Sequence, residues 1–386
     1  MHLTALIAGC VCVFVWIYLI LAHGRFWMVQ RLGATEAPLS AIPGPSAVVI
    51  PARNEADVIG DAVRSLLQQS CAGAIHIFLV DDNSSDGTAE AACQAASNSS
   101  HPDALTVIRG QSLPDGWTGK LWAMQQGIEE ALRLHPQFLL LTDADVQHSP
   151  ENVAALVAVA ESGGYDLASF MVKLHCRSLP EKLLIPAFVF FFFMLYPPEW
   201  IRNPRRKMAG AAGGCILIRP EALARAGGVE AIRGQIIDDC ALARMVKRSG
   251  GKVWLGVTPD TCSLRAYKSF SEIERMIART AFNQLQHSIW LLAGAVAGLL
   301  LLYLLPLALL LSGSRSLALV GAAAYLLMWV TYSPMVRFYR SNATWALTLP
   351  FSAAFYMAAT VHSALNYWSG RGEHWKGRAQ DIAQSR

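Results

Sequence analysis

The hydrophobic and polar positions divide the chain into three regions. An almost unbroken apolar run covers residues 3–21, and apolar sequence returns over most of residues 286–368. From residue 43 to residue 283, short apolar runs alternate with longer stretches of helical periodicity. Alternating strand-like and helix-like segments are typical of βαβ units. The pattern predicts an N-terminal membrane anchor over residues 1–25, an α/β domain over residues 43–283 and a C-terminal membrane region over residues 286–368.

Seven short apolar or β-branched runs predict the strands of a mainly parallel sheet. The predicted strands are Ala47–Ile50, Ile75–Val80, Leu105–Ile108, Phe138–Leu141, Tyr165–Val172, Cys215–Ile218 and Val253–Val257. Helical periodicity fits the segments between them, and Ser149 followed by Pro150 predicts a helix start. The middle region is therefore expected to be an α/β domain.

The N-terminal apolar run has the properties of an uncleaved membrane anchor. It lacks a following cleavage site of small residues, although a signal peptide remains the alternative. Basic residues follow it at His23, Arg25 and Arg31, whereas almost no charge precedes it. Because basic residues favour the cytoplasmic side, the middle region is predicted to face the cytoplasm.

The C-terminal region is predicted to hold two to three spans. Residues 289–311 are long enough to cross a hydrocarbon core of about 30 Å. Residues 317–330 and 344–366 are a second and a third candidate. Three spans would put the basic tail, residues 369–386, outside, whereas its charge favours the inside. One of the three is therefore a candidate interfacial or re-entrant segment.

A further apolar stretch interrupts the α/β region. Residues 183–196 contain Pro186 and end at Pro197-Pro198, and they are too few to cross a membrane. Residues 183–207 are predicted to lie in the membrane interface beside an entrance for a lipid, with the basic residues 202–207 at the headgroups. A buried core helix is the alternative.

Composition narrows the class of protein. Of the 386 residues, 53% are hydrophobic and 16% charged, which excludes a disordered chain. The net charge of +4 excludes a nucleic-acid-binding protein that works by bulk charge. The eight cysteines form no CxxC pair and no cluster with zinc-ligand spacing, so they are predicted to be buried thiols in a reducing compartment.

Acidic residues directly follow two predicted strands. Asp81-Asp82 follows the second strand and Asp143-Ala144-Asp145 follows the fourth. In open α/β sheets ligands bind beyond the carboxyl ends of the strands. Carboxylates in a D-x-D arrangement suit a hard cation such as Mg²⁺ or Mn²⁺ that also binds phosphate oxygens. For both acidic motifs, a solvated turn or a helix cap is the alternative.

Three other positions carry candidate chemistry. Residues 51–55 follow the first strand, and their Asn54 and Glu55 either cap a helix or bind a nucleotide. Lys120 precedes a predicted helix, where it either meets a diphosphate or is a solvated surface lysine. Asp238-Asp239 begins another helix, where acidic capping is the alternative to catalysis.

Several motifs together resemble those of a known family. They are Pro51–Glu55 (PARNE), Val80–Thr88 (VDDNSSDGT), Asp143–Asp145 (DAD), Leu113–Lys120 (LPDGWTGK), Gly213–Cys215 (GGC), Ile237–Asp239 (IDD) and Trp375–Arg378 (WKGR). Three of them, PARNE, VDDNSSDGT and DAD, resemble family-2 glycosyltransferases of the GT-A kind in their order and their positions at strand ends. Together with the other four motifs and the layout of anchor, domain and spans, they are similar to the hopanoid biosynthesis-associated glycosyltransferases of bacteria, over nearly the whole chain.

The resemblance implies a GT-A domain that transfers a sugar with inversion from a nucleotide sugar, a UDP-sugar being favoured, to a membrane-borne acceptor. It implies Glu55 and Asp82 at the nucleotide and Asp143 with Asp145 at the metal. The family usually has Glu-Asp where this chain has Asp238-Asp239, so Asp239 is predicted as the catalytic base and Asp238 as the second candidate. The remaining predicted donor-binding residues are Pro51, Asn54, Asp81, Lys120 and Asp143.

The chain departs from the family pattern before its C-terminal spans. Many membrane-bound relatives carry a Gln-x-x-Arg-Trp motif, whereas residues 279–284 here have the sequence RTAFNQ. This departure argues against a processive synthase and leaves a role for Arg279 at the acceptor or leaving group open. Trp375 and Arg378 either close over the nucleotide or anchor the tail at the interface.

The favoured hypothesis is an enzyme of the bacterial cytoplasmic membrane that glycosylates a lipid, a hopanoid in the first instance. The predicted partners are a nucleotide sugar, a lipid acceptor and the bilayer, and nucleic acid is not among them. A non-catalytic membrane scaffold that retains the fold and a nucleotidyl transferase are the alternatives. Converging carboxylates argue against the scaffold, because they repel one another without a cation. The sequence predicts neither the identity of the sugar nor the oligomeric state.

Overall fold

The computed structural model of the protein describes residues 2–29, 46–71, 75–370, 374–375 and 378–379. The chain divides into two compact units. The sheet unit comprises Gln30–Leu174, Trp200–Arg265 and Glu373–Arg386, and the helical unit comprises Met1–Val29, His175–Glu199 and Ala266–Gly372.

The sheet unit is built on eight strands in the spatial order β3-β2-β1-β4-β7-β6-β8-β5. The strands are β1 (Ser46–Ala52), β2 (Ile75–Asp81), β3 (Leu105–Arg109), β4 (Phe138–Leu141), β5 (Val146–Gln147), β6 (Leu167–Lys173), β7 (Ile216–Ile218) and β8 (Val253–Ser263). Two further strands, β9 (His374–Trp375) and β10 (Arg378–Ala379), form a separate antiparallel pair. All seven predicted strands are confirmed.

The sheet is mixed, and four of its seven strand pairings are parallel, in agreement with the prediction of a mainly parallel sheet. Strands β1, β2, β3 and β4 pair in parallel, as β6 does with β8. Strand β7 runs antiparallel to both β4 and β6, and β5 runs antiparallel to β8. Strand direction depends on how the connections cross the sheet. An apolar run that is buried on both faces has the same pattern in a parallel and in an antiparallel strand, so the sequence does not predict which strands run antiparallel. The parallel half, β3-β2-β1-β4, is the half that the motifs follow.

Fifteen α-helices occur in the described residues. They are α1 (His2–Ala22), α2 (Ile59–Leu67), α3 (Thr88–Ser97), α4 (Gly119–Leu132), α5 (Asn152–Gly163), α6 (Leu179–Leu195), α7 (Pro198–Arg202), α8 (Pro220–Arg225), α9 (Asp238–Arg248), α10 (Phe270–Ala278), α11 (Ala281–Gln284), α12 (Ile289–Leu299), α13 (Leu305–Leu310), α14 (Arg315–Phe338) and α15 (Leu349–Trp368). Shorter turns are 3₁₀ at Pro102–Ala104, Val229–Ile232 and Ala343–Thr348, and a π-helical turn covers Leu300–Leu304.

The core of the sheet unit explains why the predicted strands form. Every residue of β1 and β4 is buried, as expected for continuous apolar runs in the centre of a covered sheet. Helix α2 places Ile59, Val63 and Leu66 on this core at helical spacing. Helix α4 packs on β1 and β2 through Gly127. The packing of α4 sets the position of the site residue Lys120 in its first turn.

We expect Gly127→Ala to lower the free energy of unfolding by about 1–3 kcal/mol, although alanine favours helices. A Cβ atom at Gly127 would lie 2.5 Å from Val49 Cγ1 and 3.0 Å from Val80 Cγ2, so the helix would have to move away from the sheet. Thermal unfolding in detergent measures the change. The matched control is Gly294→Ala, where a Cβ atom meets open space. Equal melting temperatures in the two variants would refute close packing as the reason for Gly127.

Five helical segments of the described residues are long and apolar enough to cross a membrane: His2–Ala22, Leu179–Arg202, Ile289–Leu310, Arg315–Phe338 and Ala343–Trp368. All belong to the helical unit except residues 200–202. Several of their apolar side chains are open to the surroundings. Phe14 is 70% exposed, Trp290 84% and Leu319 64%. Apolar surface of this extent fits contact with lipid.

Helix α6 corrects the prediction that the stretch around Pro186 is too short to cross a membrane. The helix begins earlier than expected because Ser178 and Glu181 form a capping box. Proline removes one hydrogen bond and disturbs the preceding turn. In that turn Ser352 Oγ donates to Leu183 O at 2.8 Å and Tyr356 Oη donates to Leu184 O at 3.0 Å. These hydroxyl groups stabilise the helix at the turn before the proline, so that the helix continues past Pro186. Helices α6 and α7 together therefore reach 24 residues.

Three smaller predictions were also wrong. Strand β5, which directly follows Asp145, was missed because two residues give no periodic signal. Helix α5 begins at Asn152 rather than at Pro150. The thiols are free, but Cys10 and Cys93 are exposed and only part of the set is buried. Cys10 lies in an apolar candidate span, where exposure in the isolated chain is compatible with contact with lipid.

Candidate active site

The candidate active site lies at the carboxyl edge of the parallel half of the sheet. Strand β1 lies between β2 and β4, and Ala52 is the register partner of Asp81. The loops that follow β2 and β4 carry Asp82 and residues 143–145. Ligands of open α/β sheets bind in the crevice beyond such strand ends. The structure therefore places the predicted acidic motifs at one edge.

The loops that follow β1 and β2 are tied to each other. Asn54 N donates to Ser84 Oγ and Ser85 N donates to Asn54 Oδ1, both at 3.0 Å. Glu55 N donates to Thr88 Oγ1 at 2.9 Å. Asn54 has φ +51°, a left-handed conformation that asparagine tolerates better than most residues. Asn54 therefore shapes this edge of the crevice through its backbone and its side chain.

The two adjacent acids after β2 have different surroundings. Asp81 Oδ1 accepts a hydrogen bond from Ser84 N at 3.0 Å and so stabilises the turn. Asp82 is 2% exposed, and its Oδ2 lies 3.5 Å from Arg53 Nη1. Arg53 also donates to the carbonyl oxygen of Asp82. The guanidinium group of Arg53 therefore compensates the charge of the buried Asp82 carboxylate at the strand end.

Lys120 joins two of the predicted acidic motifs. Thr118 caps α4 by accepting a hydrogen bond from Leu121 N, which places Lys120 in the first helical turn. Lys120 Nζ lies 2.9 Å from Asp143 Oδ1 and 3.1 Å from Asp238 Oδ2. Burial alone would lower the pKa of Lys120, but the two carboxylates raise it above its ordinary value. Lys120 therefore remains a cation at any physiological pH.

Asp239 is oriented by two backbone groups at the start of α9. Gly213 N donates to its Oδ2 at 2.9 Å and Cys240 N donates to its Oδ1 at 2.6 Å. Burial and then the neighbouring Asp238 raise the pKa of Asp239 from 3.8 to about 6, while Lys120 opposes that rise. A carboxylate with a pKa near the working pH is suited to accept a proton.

Arg265 is a site residue that the sequence did not reveal. Its Nη2 lies 2.8 Å from Glu55 Oε2, and its Nε lies 3.0 Å from Asp145 Oδ2. Ser263 Oγ donates to the same oxygen of Asp145 at 3.3 Å. The predicted nucleotide ligand Glu55 and the predicted metal ligand Asp145 thus share one guanidinium. These carboxylates raise the pKa of Arg265 above its ordinary value, although burial opposes the rise.

The length of β8 explains why Arg265 was missed. The strand was predicted to end at Val257 but continues to Ser263, two residues before the arginine. Pro259 and Asp260 are unusual in strands, and they made these residues look like a loop. Arg265 follows directly on a strand end of the sheet, and that position would have been its signal had the full strand been recognised.

The described site carries a net negative charge. Five carboxylates, those of Glu55, Asp143, Asp145, Asp238 and Asp239, are joined by Lys120 and Arg265. With all groups ionised, five negative charges against two positive charges leave an excess of three. An additional cation would be stabilised here, and an anion would be repelled without one.

The described residues contain no group of three or more His, Cys, Asp or Glu side chains arranged to hold a metal ion. Asp143 and Asp145 each face a cation of the chain itself, Lys120 and Arg265 respectively. Two carboxylate donors fit a hard divalent cation that takes its remaining ligands from phosphate and water. The site can thus offer at most part of a coordination shell from these residues.

The structure describes the remaining predicted residues only in part. Pro51 is buried inside β1. Arg279 belongs to the helical unit and is exposed at the C-terminal end of α10. The backbones of Trp375 and Arg378 lie in β9 and β10, but their side chains are outside the described part of the chain. The roles of these residues stay predictions.

Comparison with known proteins agrees with this geometry. Residues 47–227 match the sequence profile of the family described as Glycosyl transferase family 2. An uncharacterized protein of Methanocaldococcus jannaschii is 33% identical over 34% of this chain and 50% of its own length. An undecaprenyl-phosphate 4-deoxy-4-formamido-L-arabinose transferase of Pseudomonas savastanoi pv. phaseolicola is 32% identical over 31% of this chain and 33% of its own. The chain thus spans half or less of the length of these relatives.

A solved structure resembles a larger part of the chain. The mannosyltransferase PcManGT from Pyrobaculum calidifontis, in complex with GDP-Man and Mn²⁺, aligns with 95% of this chain and 99% of its own at a TM-score of 0.57 and 19% identity. At this identity the likeness is one of fold, and that fold is the GT-A α/β fold with a mixed sheet. Residues 47–227 therefore resemble glycosyltransferase family 2 in sequence.

Proposed function

We propose that the protein is a membrane-bound glycosyltransferase that moves a sugar from a nucleotide-sugar donor to a lipid acceptor with inversion. The observation that carries this proposal is the network of Asp143, Lys120, Asp238 and Asp239 at the carboxyl edge of a GT-A sheet. It combines a proton acceptor, a fixed cation and carboxylates in one crevice.

The donor occupies the edge formed by the loops after β1 and β2. Pro51, Asn54 and Glu55 follow or end β1, and Asp81 and Asp82 follow β2, where open sheets bind nucleotides. Hydrogen bonds between the two loops hold their backbones in a fixed shape before the donor arrives. Preformed loops lose little entropy on binding. A UDP-sugar is the favoured donor on the sequence resemblance.

A divalent metal, Mg²⁺ or Mn²⁺, accompanies the donor diphosphate. The site carries three excess negative charges, and a diphosphate would add two more without a compensating cation. Asp143 and Asp145 are the residues that would hold the ion. When bound, it neutralises charge that develops on the departing diphosphate. Lys120, already fixed 2.9 Å from Asp143, adds a second positive charge beside it.

We expect Arg265→Gln to lower the melting temperature of the metal-free protein by about 2–4 °C, and added Mn²⁺ to reverse most of the loss. The substitution leaves Glu55 and Asp145 without the cation between them, and a metal on Asp145 would replace that charge. Thermal unfolding with and without Mn²⁺ measures this without any need for activity. Arg133→Gln, which removes an exposed pair with Glu130, is the matched control. An Mn²⁺ effect equal in both variants would contradict Asp145 as a ligand.

Asp239 is the catalytic base. Its carboxylate removes the proton of the acceptor hydroxyl while that oxygen attacks the anomeric carbon of the sugar, and the bond from that carbon to the nucleoside diphosphate breaks. A single displacement inverts the configuration at the carbon. Both carboxylate oxygens accept backbone hydrogen bonds, so the group is held in one orientation. Asp238 remains the second candidate for this role.

The acceptor is a membrane lipid. The helical unit exposes apolar side chains along five candidate spans. The Pseudomonas relative is named as a transferase for undecaprenyl phosphate, which favours a lipid-linked acceptor here too. The motif resemblance favours a hopanoid acceptor in the bacterial cytoplasmic membrane, with the sheet unit on the cytoplasmic side.

Chain topology limits how many of the five segments cross the membrane. Helix α6 connects β6 to β7, and both strands belong to one sheet. A single crossing would put these strands on opposite sides of the bilayer, so α6, although it belongs to a segment long enough to span, enters the bilayer without crossing it or lies in the interface. This supports the predicted membrane-interface segment over residues 183–207.

The last apolar segment also returns to the side on which it starts. Its beginning, at Arg340 and Asn342, lies beside Arg177, four residues after β6. Its end, at Tyr367, stacks on His287, which immediately precedes the span that starts at α12, with ring centroids 4.1 Å apart. Residues 343–368 therefore make no net crossing. The charge of the basic tail, residues 369–386, also favours the cytoplasmic side.

A non-catalytic membrane scaffold is the second candidate. The observation that favours it is that the acids proposed as metal ligands are already paired with Lys120 and Arg265, as in a stable internal network. A scaffold would bind a nucleotide sugar without consuming it. The raised pKa of Asp239 favours the enzyme, because buried acids with shifted pKa values concentrate at functional sites.

The experiment that separates these functions measures release of nucleoside diphosphate from a panel of nucleotide sugars. The full-length protein in detergent is tested with and without Mn²⁺ or Mg²⁺, and with and without bacterial lipid extract or purified hopanoid. Release that requires both metal and lipid supports the transferase and identifies the donor. Donor binding without release supports the scaffold. Release of pyrophosphate would identify a nucleotidyl transferase.

A further inference from the structure

A polar cavity interrupts the apolar surface of the helical unit. Its volume is about 400 Å³, and it lies between the start of α6 and the loop that joins α14 to the 3₁₀ turn at Ala343–Thr348. Three cationic side chains line it, those of Arg177, Lys182 and Arg340, and no acidic side chain from the described part of the chain does. A cavity with this lining selects for anions.

The three cations have no competing partner among the residues that the structure describes. Within the described ranges, no residue forms an ion pair or a side-chain hydrogen bond with the side chains of Arg177, Lys182 or Arg340. Glu181, which precedes Lys182 in the chain, has a buried carboxylate that accepts hydrogen bonds from His175 and from the backbone N–H groups of Arg177, Ser178 and Tyr267. These donors compensate the negative charge of Glu181, so Glu181 does not neutralise the positive charge of the cavity.

Arg340 occupies a backbone position that normally selects glycine. Helix α14 ends in a Schellman arrangement, with Ser341 N donating to Val336 O at 3.2 Å and Arg340 N donating to Arg337 O at 2.8 Å. Arg340 has φ +57°, in the left-handed region that costs a residue with a Cβ atom free energy. An arginine here gives the fold nothing that glycine would not give better. Its side chain therefore points to a task outside folding.

The position of the cavity at the ends of apolar segments indicates that the anion comes from a membrane lipid. Arg177 and Lys182 lie at the start of one long apolar segment, and Arg340 lies at the end of another. Such positions lie where apolar helices leave the hydrocarbon and meet lipid headgroups. Trp345, in the lining, is a residue type enriched at this level.

We propose that this cavity binds the phosphate group of a membrane lipid. Two guanidinium groups and one ammonium group converge on a volume that can hold a phosphorylated headgroup, while Asn342 and Ser341 add polar groups to its wall. The proposal concerns binding in the helical unit, so it does not depend on the sugar-transfer reaction.

The test is a titration of the detergent-solubilised full-length protein with phosphatidic acid, followed by native mass spectrometry. We expect Lys182→Gln and Arg340→Gly each to weaken binding about tenfold or more, because each removes a charge-assisted hydrogen-bond donor. Arg315→Gln is the matched control, since Arg315 is exposed at the opposite end of α14. Arg340→Gly should not lower the melting temperature, because glycine suits this backbone conformation.

The arms of the experiment distinguish the possible ligands. Phosphatidylcholine, which carries a compensating positive charge, should bind more weakly than phosphatidic acid, and millimolar inorganic phosphate should not displace the lipid. Equal affinity in Arg340→Gly, Lys182→Gln and Arg315→Gln would overturn the proposal. Displacement by inorganic phosphate at concentrations near those of the lipid would show a site for free phosphate instead, which overturns the assignment to lipid.

Discussion

Replacing Asp239 by asparagine is expected to lower the rate of sugar transfer by about 10²–10⁴-fold while donor binding persists. The variant keeps the shape of the side chain but cannot accept the proton of the acceptor hydroxyl. It also turns one acceptor oxygen into a donor that meets Gly213 N or Cys240 N, which costs about 1–2 kcal/mol of stability. Transfer rates and donor affinity are compared at one pH, with melting temperatures recorded for both proteins.

The wild-type enzyme should lose activity as the pH falls through about 6. The pKa of Asp239 is about 6, and only its ionised form accepts a proton. Above this pH the carboxylate is present and the rate is level, whereas below it the rate falls tenfold for each pH unit. This fall of the rate at low pH is the acidic limb of the pH profile. The residual activity of Asp239→Asn should lack the acidic limb.

The outcome for the neighbouring acid decides between the two candidate bases. If Asp238→Asn abolishes transfer while Asp239→Asn retains both the rate and the acidic limb, the base is Asp238. Loss of donor binding in Asp239→Asn would instead assign that residue to the donor site. An acidic limb that is identical in the wild type and in both variants would exclude either residue.

The sequence predicted the strands and the site motifs because both depend on local signals. Strands such as β1 and β4 are short continuous apolar runs, and runs of this length are typical of buried strands. Asp82 and Asp143 follow strands that proved to be parallel neighbours or near neighbours, so their convergence required only the correct direction of β1, β2 and β4. The predicted starts of α4 and α9 placed Lys120 and Asp239 correctly at helix N-termini.

The sequence failed where a feature depends on contacts between distant segments. The carboxylate of Glu55 pairs with Arg265, which lies 210 residues away, just after a strand whose turn-like residues concealed its length. Strand β7 runs antiparallel to β4 for reasons of chain connection that its own three residues do not encode. The continuation of α6 through Pro186 depends on hydroxyl groups of α15. In each case a local rule was overridden by tertiary packing.

Replacing Lys120 by methionine should shift the acidic limb of activity to higher pH by about 1–2 units. Lys120 lies 3.1 Å from Asp238 and lowers the pKa of Asp239, so its removal lets burial and Asp238 raise that pKa further. At pH 7 the ionised fraction of Asp239, and with it the rate, should fall about two- to tenfold, and this part of the loss should be recovered near pH 9. Lys120→Arg keeps the charge and should keep the limb near its wild-type position.

Asp238→Asn provides the opposite change at the same site. Asp238 raises the pKa of Asp239, so removing its charge should move the acidic limb to lower pH, whereas removing Lys120 moves it to higher pH. A purely structural disturbance would reduce the rate in both variants without moving the limb in opposite directions. Rate profiles from pH 5 to pH 9 for the wild type and the three variants therefore measure the charge coupling directly. Limbs that move the same way would contradict Asp239 as the base whose pKa is set by Lys120 and Asp238.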